Sequence, residues 1–424
     1  MARVRRYACI ALIAAACAYS IGFTAFFWDQ PWPHPRLTID GHSYLSGAAG
    51  ATWKTLFQLT DLYHSPGYQV YLRILLATFG STEAMTQASK VLSLVMFFAA
   101  AMLLYRLARR WFDPTVAETA VAIFLLSESW RYYSNMIQYE VLIGFLMLVF
   151  LTMLVSFESA SSPKLSRWHG MAMGLVLAVI SLIQTRYLAL LVIAPAYSAL
   201  THRSRASKAW YQNGIVLVTS LGLLALWSLA QSSSHGRTIL LMDGSKFRFQ
   251  IANNPNAMGY SFPYPEVVEP SGWQFILSMP GQWLWLLGQR AFYLFGVKRD
   301  VWALPPQGLG SGPIGSYSLL DAAAMVVFAI GLLLILSRIR RGQLSEELTA
   351  AVLMLACVTV PPLLIFGSKR FIIPVIPLIA LFQAYAFVII ARGFLGLRNR
   401  SDRFAFARTI GSPVQHRRMT EELR

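Results

Sequence analysis

Ten runs of mostly apolar residues, most of them close to the length of a bilayer-crossing helix, dominate this chain. They fall at about 7–28, 87–105, 115–127, 139–157, 169–184, 188–200, 214–230, 319–337, 347–366 and 371–391. A helix needs ~20 such residues to cross the hydrocarbon of a membrane. Hydrophobic residues make up 56% of the 424, charged residues only 13%, and the mean hydropathy is +0.51. A soluble fold could not conceal that much apolar surface. The runs are continuous rather than alternating, which excludes a β-barrel. The expected fold class is an all-α polytopic membrane protein with about 10 transmembrane helices.

The formal net charge is +17, and its placement follows the positive-inside rule. Arg3, Arg5 and Arg6 precede the first run and put the N-terminus inside. Strict alternation then places inside Arg106, Arg109 and Arg110; Lys164 and Arg167; His202, Arg203, Arg205 and Lys208; and Arg338, Arg340 and Arg341. A basic tail, 393–424, ends inside as well. Every loop expected inside is basic. A nucleic-acid partner is excluded, because the cations are spread over short loops rather than clustered on a water-facing domain. Cys9, Cys17 and Cys357 all fall in apolar runs and form no disulfide or metal framework. Ala14-Ala15-Ala16-Cys17 resembles a lipoprotein cleavage site. The run around it is long and others follow, so a retained signal anchor is expected.

Two long segments, 29–85 and 231–317, fall on the outer side. The first holds Pro31, Pro33 and Pro35, a short helix expected from about Asp40 to Leu59, and an apolar stretch, 68–79, too short to span. That stretch reads as interfacial or re-entrant. The second holds Asn253-Asn254-Pro255-Asn256 and an aromatic amphipathic stretch, Trp273–Phe295. The third, fifth and sixth runs are short and read as kinked or as broken helices. Two such segments on one face can roof a cavity that meets lipid on one side and water on the other. No inverted repeat of the kind found in many transporters is visible.

Four pieces of sequence then stand out: Asp40-Gly41-His42-Ser43-Tyr44; His64-Ser65-Pro66-Gly67-Tyr68; the span Gly170–Tyr187 with its Gln184-Thr185-Arg186-Tyr187 end; and Lys369-Arg370-Phe371-Ile372-Ile373-Pro374-Val375-Ile376-Pro377. In order and spacing they resemble the GT-C class of membrane glycosyltransferases, which includes protein O-mannosyltransferases and lipid A aminoarabinose transferases. The similar family patterns are Asp-Glu-x-x-Tyr, Pro-Pro-Gly-Tyr, a Gly-rich span ending in Arg-Pro or Arg-Tyr, and Arg-Tyr-x-x-Pro-x-x-Pro. Gly41 stands where the family often has a second acid, and Ser65 where it has a first proline. The resemblance covers about residues 1–392.

The resemblance implies an inverting transfer from a polyprenyl-phosphate sugar to a glycolipid, polysaccharide or protein acceptor, at the outer face of a bacterial inner membrane. Asp40 would be the catalytic base. Tyr44, His64, Glu140, Arg186, Lys369 and Arg370 would contact substrate, the cations near the lipid phosphate. No cofactor is expected; no metal-ligand cluster stands out, and use of a divalent metal stays open.

Plainer roles fit the same residues. Asp40 suits a helix N-cap, and Tyr44 an interfacial aromatic. His64 suits a polar turn, and Arg186 and Arg370 snorkelling cations. Glu140 reads equally as a buried functional acid or a solvated helix end, and Asp61 and Glu128 share that ambiguity. The Asn run suits a turn, and Trp273, Trp283 and Trp285 an aromatic belt rather than sugar stacking. A transporter or flippase of a lipid-linked or anionic substrate is the alternative from another class, and a non-catalytic assembly protein a third. The polar residues sit at outer span ends rather than at mid-membrane, which favours surface chemistry.

Overall fold

A computed structural model describes residues 2–27, 38–57, 59, 64–156, 163–201, 206–241, 245–260, 266–299, 315–345 and 347–394. Pro31, Pro33, Pro35, Asp61, His202, Arg203, Arg205 and the tail from 395 lie outside them. Among the described residues the regular structure is helical, with a single isolated β-bridge, Lys298 to Tyr317.

Sixteen α-helices follow in chain order: α1 Ala2–Phe27, α2 Thr38–Ala48, α3 Pro66–Phe79, α4 Thr82–Trp111, α5 Pro114–Leu125, α6 Glu128–Ser134, α7 Glu140–Ser156, α8 Pro163–Ile183, α9 Ile193–Thr201, α10 Ala206–His235, α11 Ser245–Ala252, α12 Trp273–Ser278, α13 Pro280–Leu294, α14 Leu319–Arg340, α15 Leu348–Leu364 and α16 Ile376–Phe394. Two 3-10 segments, Thr185–Val192 and Lys369–Val375, lead into α9 and α16. Among the described residues, four stretches are long and apolar enough to cross a membrane: Thr82–Trp111, Asn213–His235, Leu319–Arg340 and Lys369–Gly393. Six shorter apolar helices lie at the other expected runs.

The helix expected from about Asp40 to Leu59 is shorter, since α2 stops at Ala48 and 49–57 hold no helix, and the apolar stretch at 68–79 is α3. The fifth and sixth runs form a broken helix: α8 ends at Ile183, Gln184 is extended at φ −155°, and tight 3-10 turns carry the chain into α9. One large apolar core joins α3, α4, α5, α7, α8, α15 and α16.

Ion pairs fasten one end of the bundle. Arg110 at the end of α4 pairs with Glu347 before α15, which also accepts from Trp111 Nε1 at 3.1 Å. Arg392 near the end of α16 meets Asp113, the N-cap of α5, at 2.9 Å. All four ends belong to the side the charge pattern places inside. The ends expected on the other side converge on the site.

Candidate active site

The first wall of the site is built by a proline and a glycine. Ser65 is extended (φ −61°, ψ 136°), as the residue before a proline must be, and Pro66 opens α3 where its missing N–H costs nothing. A Cβ on Gly67 would lie 2.6 Å from Ile183 N and 2.7 Å from Leu182 C. Only glycine lets α3 start against the end of α8. That contact brings Ser65 Oγ to Gln184, to which it donates at 3.2 Å. His64 then stands beside α2, its Nε2 3.7 Å from Asp40 Oδ1.

Asp40 lies inside the first turn of α2, so its side chain is not the cap. Tyr44, one turn on, is buried edge-on against His64, Tyr68 and Tyr139, with ring centroids 5.3, 5.0 and 6.1 Å away. The α2 face is therefore packed, not interfacial.

Arg370 joins the other pieces. Its guanidinium donates from Nε to Glu140, from Nη1 to Asp40 Oδ2 at 2.5 Å and from Nη2 to Gln138 Oε1 at 2.8 Å. One planar fork thus holds oxygens from the first outer segment and from the start of α7. Such charge-assisted bonds have a fixed geometry. The 3-10 turns present Arg370 here: Trp130 donates to Ile373 O at 2.5 Å and pins them against α6 and α7. Glu140 is 0% exposed and Arg370 3%, whereas Asp40 keeps 25% of its side chain accessible. Asp40 is the acid of this cluster that a substrate can reach. Burial alone would raise its pKa; Arg370 and His64 outweigh that and hold its carboxyl well below the usual carboxylate range.

Tyr139 sits between the two arginines. Its ring lies 5.0 Å from the Arg370 guanidinium carbon and 6.0 Å from that of Arg186. Its hydroxyl accepts from Arg186 Nη2 at 2.9 Å and from Gln184 Nε2 at 2.8 Å. Arg186 is stacked over Phe371, 3.9 Å to the centroid. It is a packed cation, not a snorkelling one.

The structure therefore unites Asp40, Tyr44, His64, Glu140, Arg186 and Arg370. It separates Lys369, whose ammonium pairs with Asp321 in the first turn of α14 at 2.7 Å. Glu128 is half-buried at the start of α6. The Asn run makes a turn: Asn253 Nδ2 donates to Phe249 O and Leu364 O, and Asn254 to Gln250 O and Ile251 O. Trp273 and Trp285 are exposed, and Trp283 packs under Phe275 and Leu286. Gln138, Tyr139 and Gln184 are the polar members that the motifs did not single out as site residues. Gln138-Tyr139-Glu140 does carry a signal, three hydrogen-bonding side chains in succession at the mouth of an apolar run.

No family model matches this chain, and no curated protein matches it. Solved structures do. ArnT from Cupriavidus metallidurans, solved with undecaprenyl phosphate, superposes with a TM-score of 0.52 at 12% identity, over 91% of this chain and 60% of that one. The Archaeoglobus fulgidus oligosaccharyltransferase AglB, in complex with an inhibitory peptide and a dolichol-phosphate, gives 0.50 at 13%, over 96% and 54%. The apo oligosaccharyltransferase of that organism gives 0.50 at 12%, over 94% and 52%. The chain has the GT-C type fold. It spans little more than half the length of these structures. The expected resemblance in sequence is thus matched in backbone, with the four motifs surrounding one cluster.

Proposed function

We propose that this protein is an inverting glycosyltransferase that moves a sugar from a polyprenyl-phosphate donor to a glycolipid, polysaccharide or protein acceptor. In this reading all ten apolar runs cross a bacterial inner membrane, both termini are cytoplasmic, and the cluster around Arg370 opens to the outer face. The observation that carries it is Asp40: a reachable, ionised carboxylate oriented by a buried arginine, with a second arginine close by.

Asp40 accepts the proton of the acceptor nucleophile as that atom bonds to the anomeric carbon. The anomeric C–O bond breaks, its electron pair leaves with the lipid phosphate, and configuration inverts. A carboxylate with a lowered pKa is a weak base. It takes the proton only as the nucleophile becomes acidic in forming its new bond, late in the transition state. Arg186 receives the charge that develops on the phosphate, its planar fork matching two oxygens. Lys369 is committed to Asp321 and is left out of that role. Tyr44 and His64 line the acceptor side; Glu140 and Gln138 hold Arg370. Arg370 pairs with both carboxylates, and no step of the proposed chemistry is routed through a divalent metal; the EDTA arm of the test below checks that.

The test is sugar transfer by the purified protein in lipid from a panel of radiolabelled polyprenyl-phosphate sugars, with and without EDTA. Transfer should fall about 10²- to 10⁴-fold in Asp40→Asn and stay within about twofold in EDTA. Equal rates for wild type and Asp40→Asn would remove Asp40 from the mechanism. Translocation of a lipid-linked sugar without transfer would establish the transporter reading instead.

A further inference from the structure

Residues 363–367, just before Arg370, are held by the second outer segment, whereas Lys369 pairs with Asp321. Pro361 and Pro362 lie in the last turn of α15, which ends at Leu364. Helix ends leave carbonyls without main-chain partners. Here the carbonyl of Leu363 accepts from Arg290 Nη1 at 2.9 Å, and that of Leu364 from Asn253 Nδ2 at 3.1 Å. Phe366 packs with Ile251 and Ala252 of α11. Gly367 N donates to Gly259 O at 2.9 Å. A Cβ on Gly367 would stand 2.1 Å from the carbonyl oxygen of Arg290 and 2.5 Å from its Cα. Arg370 follows three residues later.

Arg290 is the centre of this brace. It is 0% exposed, and among the described residues its guanidinium donates to neutral oxygens: Leu363 O, Ala252 O at 2.5 Å and Asn253 Oδ1 at 3.2 Å. Burial brings its pKa down to about 10, so it stays charged at neutral pH. Its fork spans the C-terminal ends of α11 and α15, where partial negative charge accumulates. A second route runs through Phe371, which packs on the same cluster as Phe366 and also lies under Arg186.

We propose that Arg290 is a positioning residue for the site: through the turn 363–369 it sets the placement of Arg370 on Asp40 and Glu140. The α11–α13 unit is then the part of the second outer segment that fixes the catalytic carboxylate, rather than a lid that merely covers it. The kinetic part of this inference rests on the function proposed above; the structural part does not.

The experiment is a double-mutant cycle for Asp40→Asn and Arg370→Gln, read as non-additivity of Tm in lipid, run once in the wild-type background and once in Arg290→Lys. Lysine keeps the charge and loses the fork. The Asp40–Arg370 coupling is expected to fall by more than half. A variant that lowers every Tm equally and leaves the coupling unchanged overturns the proposal, because a residue that only stabilises the fold does that. If Arg290→Lys does not fold, Gly367→Ala takes its place, since its Cβ displaces the same turn from Arg290. A kinetic arm expects kcat down about 10- to 100-fold with the donor KM within about twofold. Coupling lost in Arg290→Lys upholds the positioning role whether or not the wild type transfers sugar from any donor of the panel.

Discussion

Replacing Arg370 by glutamine leaves two carboxylates without their cation, one of them sealed from water. The cost follows from where each lies. Glu140 is 0% exposed and its Oε2 has no hydrogen-bond partner among the described residues. Removing the single cation that bonds it strands a buried charge, at about 3–5 kcal/mol. Glu140→Gln leaves Arg370 with Asp40 and Gln138, and costs about 1–3 kcal/mol for the lost charge-assisted bond. Were the two independent, the double variant would lose about 4–8 kcal/mol, the sum of those two estimates. It strands no charge at Glu140, however, so its loss should be about 2–4 kcal/mol. Midpoint against midpoint, the expected coupling is therefore about 3 kcal/mol, several times the ~0.5 kcal/mol tolerance for independent sites. The assay is equilibrium unfolding of the four proteins in mixed micelles, followed by tryptophan fluorescence. Additivity within that tolerance would show that Arg370 and Glu140 do not depend on each other, and the account of the site would fail.

Other outcomes follow from the same geometry. The pKa of Asp40 is lower in the folded protein than the ~3.9 of an unfolded chain. Its stabilisation is therefore complete above that value and is lost as pH falls through the folded one. The Tm difference between wild type and Asp40→Asn should be flat from pH 8 to about pH 5.5 and narrow only below about pH 4; narrowing that is complete by pH 5.5 would show that Asp40 is not held ionised by its partners. Gly67→Ala should cost about 1–3 kcal/mol, because the new methyl meets the backbone of Leu182 and Ile183. An unchanged Tm there would show that α3 and α8 are not tightly apposed.

The helices were legible because hydropathy sets them directly: each apolar run expected from the sequence coincides with an apolar helix. Helix length was less so, since α4 runs from Thr82 to Trp111, well past the apolar run at about 87–105. Asp40, His64, Arg186 and Arg370 could be singled out because each falls in one of the four pieces of sequence that resemble the GT-C patterns. Their grouping is another matter, since Arg370 reaches Asp40 across 330 positions of sequence. Lys369 and Arg370 are neighbours with equal claims as a phosphate contact, yet 3-10 geometry sends one to Asp321 and the other to Glu140. No local pattern encodes that choice. Arg290 was invisible because a basic residue in an amphipathic stretch is ordinarily a surface residue; only the capping of two distant helix ends shows why it is buried.

The bridge from Arg370 to Asp40, Gln138 and Glu140 also has a consequence in time. A ribosome synthesises Gln138 and Glu140 long before residue 370 exists. Until the last hydrophobic segment arrives, α7 carries an acid at its head with no arginine to meet it, and such a group in an apolar setting is costly. The nascent chain must keep that end of α7 wet or shielded by the insertion machinery. Only when α15 and α16 have been laid in can the three carriers of the cluster close on one another. A chain truncated before Lys369 would thus hold nearly every helix of the finished protein and still lack an assembled centre.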